Sequence, residues 1–145
     1  MSRSISRITL GAVVFLTTAA AAVIAGPPAL ADVTAVSVAA GPEGLAVGCR
    51  YTVTAVVTDA VVPAGTVFFM LAGGVIPGNG ERIPSEAVHH PENNTVTATW
   101  TPTRQGSQNL IAIQSEPGRY TSSQYITIEV RHTGIDTGSS CQVIG

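Results

Sequence analysis

Lysine is absent from this chain of 145 residues, and charged residues of all kinds make up only 11% of it. The basic residues are seven arginines dispersed along the sequence. A protein that binds nucleic acid or an anionic membrane surface needs basic side chains concentrated in a patch. The missing lysines and dispersed arginines therefore exclude nucleic acid as a partner, and they exclude a membrane surface.

The chain has one long hydrophobic run, and it lies at the start. Arg3 and Arg7 are followed by an apolar stretch over residues 8–25, then by Gly-Pro-Pro, and then by Ala-Leu-Ala at residues 29–31. This order is typical of a secretory signal peptide with a small-x-small cleavage pattern. We expect residues 1–31 to be removed. The length of the run leaves an uncleaved membrane anchor as the alternative.

Removal of the leader changes the character of the chain. The mature protein would begin at Asp32 and carry nine carboxylates against five arginines, a net charge of −4. It would be a secreted, extracellular protein of one small domain. A composition rich in alanine and valine and free of lysine also suggests a bacterium with a GC-rich genome.

Cysteine occurs twice, and both cysteines, Cys49 and Cys141, lie in the exported part. In an oxidising compartment two such residues normally form a disulfide bond, and a pair of free thiols is the alternative. Closing so long a loop would stabilise the domain by roughly 4 kcal/mol in the chain-entropy model. We predict that the bond clamps a tail rich in Gly, Ser and Thr, residues 132–145, to the domain.

Short runs with a period of two, separated by Gly, Pro and Asn, occupy the mature sequence. In the clearest run, Val96, Ala98 and Trp100 alternate with threonines. Successive side chains of a strand point to opposite faces, so this pattern is typical of half-buried strands in an all-β protein. It predicts seven strands, over residues 33–40, 50–59, 66–71, 86–89, 95–101, 108–114 and 125–131.

The inward positions of these strands predict the hydrophobic core. Trp100 shares the inward register of Val96, which favours a core residue over a platform for stacking a sugar ring. The predicted core consists of Tyr51, Val53, Val67, Phe69, Val96, Trp100, Leu110, Ile126 and Ile128.

Three sequence motifs resemble those of bacterial immunoglobulin-like (Ig-like) domains. They are Gly-Thr-Val-Phe-Phe at residues 65–69, Thr-Val-Thr-Ala-Thr-Trp-Thr-Pro at 95–102, and Gly106 followed by Leu-Ile-Ala at 110–112. The resemblance covers residues 33–131 and implies an antiparallel β-sandwich without catalytic activity, in a family whose roles run from spacer to adhesin. The chain departs from the family in having one domain instead of a tandem array. Its cysteines also lie outside the antibody pattern.

One cluster of side chains resembles a metal site. His89 and His90 lie between Glu86 and Glu92. Adjacent residues on a strand point to opposite faces, however, so the two histidines cannot easily reach one ion. No serine has a glycine-flanked elbow or an adjacent base. We therefore expect no metal, no cofactor and no enzymatic activity.

Apolar residues on both faces of two strands give the strongest indication of a binding surface. Val67, Phe69 and Leu71 would face the core, which leaves the intervening residues on a side that should be polar. Residues 108–114 repeat this pattern. The Ig-like resemblance implies that these strands are neighbours. The outward residues would then form one patch, made up of Phe68, Met70, Ile111 and Ile113 with Tyr125 beside them.

Contiguous exposed apolar surface usually marks an interface, here with a partner protein or with a second copy. The alternative is cover by the chain itself, through the hairpin at 73–80 or through Ile135, Val143 and Ile144 of the tail. We expect a secreted, non-catalytic module for protein binding or cell-envelope interaction. A structural spacer or stability module of the envelope is the alternative function, and a metal-binding or enzymatic protein comes third.

Overall fold

The computed structural model describes residues 32–58, 61–72 and 80–145, and every regular element in this part is a β-strand. The prediction of an all-β protein is confirmed. The expected signal peptide lies outside the described residues. The strands are β1 (Val33–Ala39), β2 (Leu45–Val47), β3 (Tyr51–Val57), β4 (Val67–Ala72), β5 (Gly80–Arg82), β6 (Val88–His90), β7 (Thr95–Trp100), β8 (Gly106–Glu116), β9 (Arg119–Ser122), β10 (Ile126–Asp136) and β11 (Cys141–Val143).

The strands form two sheets. The first sheet has four strands in the order β1-β3-β7-β6, and all its neighbours are antiparallel. The second sheet has the order β11-β10-β8-β4-β5. In addition, β2 pairs with β10 in parallel and β9 pairs with β8 as an antiparallel hairpin. Buried residues of both sheets contribute to one hydrophobic core.

The centre of the first sheet shows why these residues form strands. In the pairing of β3 with β7, Val53 lies opposite Ala98 and Ala55 lies opposite Val96, and all four side chains are buried. Threonines fill the alternate positions on the outward side, except for the exposed Val56. Branched side chains suit a pleated surface that is buried on one face, and their alternation fixes the register.

The core lies between the inward sides of the two sheets. Tyr51 lies at its margin, where its hydroxyl accepts a hydrogen bond from the Ala46 N–H at 2.7 Å. Its ring packs near Trp100, with 6.4 Å between the centroids. Ile126 also lies at the margin. The remaining predicted core residues, Val53, Val67, Phe69, Val96, Trp100, Leu110 and Ile128, are all buried.

The C-terminal segment differs from the predicted tail. The last long strand does not end at Arg131, because β10 continues to Asp136 and β11 pairs with its final residues. The pairing of β8 with β10 stops where Gly106 lies opposite Val130. Beyond that point β11 supplies hydrogen-bond partners for β10, and a turn closed by Thr137 N–H to the Ser140 carbonyl joins the two.

A disulfide bond joins Cys49 to Cys141 across 92 residues. Cys49 is fully buried just before β3 of the first sheet, and Cys141 opens β11 of the second. Gly134 of β10 lies against this bond. A Cβ atom there would overlap the Cys49 sulfur and lie 3.0 Å from the Cys141 sulfur. The bond therefore needs a residue without a side chain beside it.

Removing the disulfide should destabilise the domain strongly. The double variant Cys49→Ala/Cys141→Ser loses the constraint on a 92-residue loop. We expect the free energy of unfolding to fall by about 4 kcal/mol, measured by urea denaturation. Thiol titration of the oxidised wild-type protein is the control, and two free thiols there would contradict the bond.

Replacing Gly134 with alanine tests the space beside the disulfide. Gly134→Ala would force the added methyl group against two sulfurs and the Gln142 carbonyl oxygen, which is 2.9 Å away. We expect a loss of about 1–3 kcal/mol, the usual cost of overpacking. Gly41→Ala is the matched control, because nothing lies within 4 Å of its Cβ position. Equal melting temperatures for the two variants would contradict the account.

Candidate interaction surface

The outward side of the second sheet brings together the apolar residues of β4 and β8. Phe68 lies opposite Ile113, and Met70 lies opposite Ile111. Directly opposed residues on one face have Cβ atoms about 5 Å apart. The four side chains therefore form one contiguous block.

These four residues differ in exposure. Phe68, Met70 and Ile111 are partly exposed, but Ile113 is only 6% exposed. The prediction of an exposed Ile113 is wrong for a local reason. Its strand has neighbours on both sides there, with Phe68 of β4 on one side and Ser122 of the added strand β9 on the other.

Arg82 covers part of the block. It lies opposite Met70 in the pairing of β5 with β4, and its guanidinium carbon is 4.3 Å from the centre of the Phe68 ring. A cation over an aromatic face is attracted by the negative face of the ring, typically by about 0.5–1 kcal/mol at an exposed site. This contact places a positive charge at the β5 edge of the apolar block.

Two tyrosines lie at the opposite edge. Tyr125 is 64% exposed and directly precedes β10, so alternation places it beside Ile111. Tyr120 of β9 is 61% exposed, and its pairing with Ser115 puts it on the same outward side as Ile113. We call Phe68, Met70, Ile111, Tyr120 and Tyr125 the outward patch.

Tyr120 was not predicted from the sequence, because the sixth predicted strand ends at Gln114. In the structure β8 continues to Glu116 and turns back through Pro117 and Gly118. Gly118 has a φ of 77°, which glycine adopts without steric cost. A Pro-Gly pair between two strand-like runs was the available signal for this hairpin.

Two of the three tail residues that were expected to cover the patch are exposed. Ile135 is 54% exposed and Ile144 is 61% exposed. The final strand β11 that contains Val143 instead pairs with the far end of β10. The other candidate cover, the hairpin tip at 73–79, lies outside the described residues.

His89 and His90 point to opposite sides of β6. His89 lies opposite the buried Val96, whereas the His90 Nε2 atom is 2.9 Å from the Thr97 hydroxyl on the outward side. The His90 Nδ1 atom also lies 3.5 Å from a carboxylate oxygen of Glu92. Across residues 32–58, 61–72 and 80–145, no three His, Cys, Asp or Glu side chains are grouped closely enough to hold a metal ion.

A cleft of about 610 Å³ opens where β5 leads towards β6. Trp100, which is 4% exposed, contributes to its wall, and Ser85 lies at its edge. The Ser85 hydroxyl accepts a hydrogen bond from the Thr99 N–H at 3.1 Å. The lining also includes Arg50, Glu81 and Arg82.

Comparisons with family models, with curated proteins and with solved structures found no match for this chain. In the described part of the chain, no helix is long and apolar enough to cross a membrane.

Serine substitutions should divide the predicted interface residues into two groups. Ile113→Ser removes a buried apolar side chain, so we expect a loss of about 2–4 kcal/mol in the free energy of unfolding. Tyr125→Ser changes an exposed side chain, and we expect a change within about 0.5 kcal/mol. Thermal denaturation of both variants checks this. A destabilised Tyr125→Ser protein would show that Tyr125 is packed against other residues.

Proposed function

We propose that this chain is an exported Ig-like β-sandwich that binds a protein through the outward patch. An Ig constant-type sandwich places its first, second, fifth and fourth strands in one sheet and its third, sixth and seventh in the other. The seven predicted strands correspond to β1, β3, β4, β6, β7, β8 and β10. Their order in the two sheets supports this arrangement, with β2, β5, β9 and β11 as additions.

Export is supported by two independent features. The pattern of residues 1–31 is that of a cleavable leader. The bond between Cys49 and Cys141 is of a kind that persists in oxidising compartments and is rare in the cytosol. Both features favour an extracellular or envelope protein.

A non-catalytic role is supported by the charged side chains, which form ion pairs with one another. Arg50 pairs with Asp136 at 3.0 Å, and Arg104 pairs with Glu81 at 3.5 Å. Most of these side chains lie at the surface as solvated ion pairs, whereas catalytic acids and bases are commonly found where burial and neighbouring charges tune them. The protein would need no cofactor and no metal.

The observation that carries the binding proposal is the pair of exposed tyrosines beside a partly exposed apolar block. Tyrosine, arginine, methionine and phenylalanine are enriched at protein interfaces, and the outward patch with Arg82 contains all four. Tyrosine supplies a large contact area at low cost in conformational entropy. The surface is therefore suited to a protein partner with an apolar centre and an acidic group facing Arg82.

A specific observation favours the second candidate, a structural spacer of the envelope without a dedicated ligand. Ile113 is buried and Arg82 lies over Phe68, so the chain already covers part of its apolar face. In that case the remaining exposed surface would have no partner.

The tyrosines of the outward patch should decide between the two functions. We expect Tyr120→Ser/Tyr125→Ser to weaken binding by more than about ten-fold, because exposed aromatic anchors commonly dominate an interface. The measurement is capture of envelope proteins from the native bacterium on the immobilised variants, identified by mass spectrometry and then titrated individually.

Val88→Ser provides the matched control, since Val88 is 55% exposed on the outward side of the first sheet. It should retain every specific partner. Identical captured proteins and affinities for wild type and both variants would reject the binding proposal and leave the spacer function.

A further inference from the structure

The free edges of the two sheets are protected to different degrees. Strand β5 has three residues and includes Glu81 and Arg82, and β9 has four residues and begins with Arg119. Strands β6 and β11 have three residues each, and Pro91 follows β6. Short length, charge and proline are the usual devices that stop a sheet edge from pairing with another chain. In contrast, β1 has seven residues without a charge or a proline.

The outer edge of β1 has unpaired backbone groups over most of its length. Its inner edge pairs with β3, and β1 ends the first sheet. Near its start, Asp32 forms an ion pair with Arg119 of β9, and the register shifts between Val33 and Ala35. From Ala35 to Ala39 the pairing is regular, and these residues make no other backbone hydrogen bond within the described part of the chain.

The sequence of this regular segment is a palindrome. Residues 35–39 read Ala-Val-Ser-Val-Ala. If two copies pair in antiparallel fashion about Ser37, each Ala35 lies opposite an Ala39, each Val36 lies opposite a Val38, and the two serines face each other. Directly opposed residues share a face, so the inward valines meet and the small outward side chains meet. The register matches side-chain size and face at every position.

The surroundings of the edge favour the approach of a second strand. Ala35, Ser37 and Ala39, the outward residues of this segment, are small, exposed and uncharged. A second copy therefore introduces no like charges at the contact and removes no ionised group from water. The unpaired N–H and C=O groups would gain the hydrogen bonds of a regular antiparallel ladder.

We propose that two copies of this protein associate through antiparallel pairing of β1 with β1, centred on Ser37. The contact is symmetric and closes at the dimer. It joins two four-stranded sheets into one continuous sheet of eight strands. A single strand edge buries less than a standard interface, so we expect a dissociation constant on the order of tens of micromolar.

Sedimentation equilibrium tests the proposal. The sample is the form of the protein that an expressing bacterium exports, and mass spectrometry determines its N-terminus. We expect the average mass to rise towards that of a dimer with concentration. Ser37→Lys places two positive charges opposite each other and should weaken association by more than about ten-fold. Ser37→Ala, which keeps the small palindromic surface, should still dimerise.

Thr54→Lys is the matched control, because Thr54 lies opposite Ser37 one strand further into the sheet. This variant should associate as strongly as the wild type. Weaker association would indicate that two copies pack through the outward faces of the first sheet and would overturn the β1 contact. Tyr120→Ser/Tyr125→Ser should also dimerise normally, which separates this proposal from the binding function. Dimerisation lost in that variant would overturn the β1 contact.

Amide hydrogen exchange provides a readout that does not depend on substitution. Backbone amides within residues 35–39 should exchange more slowly as the protein concentration rises, while amides of β5 and β6 should not change. A protein that remains monomeric up to several hundred micromolar, or a dimer unaffected by Ser37→Lys, would overturn the proposal.

Discussion

The covalent link between the two sheets is the constraint on which the rest of the structure depends. Cys49 is buried just before a central strand of the first sheet, and its partner opens the last strand of the second. The bond holds the end of β10 and β11 against the domain, and it requires Gly134 beside it. A small domain buries limited apolar area, so a cross-link worth several kcal/mol is a large part of its stability.

The outward sides of the two sheets have different chemistry. Threonine, serine and alanine dominate the first sheet, and this uncharged surface extends to the open edge of β1. The second sheet presents partly exposed apolar residues between Arg82 and two tyrosines. The protein thus has one surface suited to side-chain recognition and one edge suited to backbone pairing. Dimerisation through the edge would present two outward patches on one particle and raise the avidity for a repetitive partner.

The long strands were predictable because alternation extends over enough residues to exceed chance. Residues 95–100 show this best, with every second side chain buried. Four of the five short strands, β2, β5, β9 and β11, were not predicted, since three or four residues contain too few periods to identify. Their omission had consequences for the candidate surface. Without β9, Ile113 was expected to be exposed and Tyr120 was overlooked, because burial depends on strands contributed from elsewhere in the chain.

The position of the disulfide also determines how the domain responds to tension. A force applied at the two ends of residues 32–145 passes through the sulfur–sulfur bond and bypasses the 92-residue loop. Only residues 32–49 and 141–145 can extend, which is roughly 80 Å of stretched chain. The loop contains all of β3 to β10, so the force cannot unravel these strands. The disulfide therefore limits the extension of the domain to a small part of its contour length.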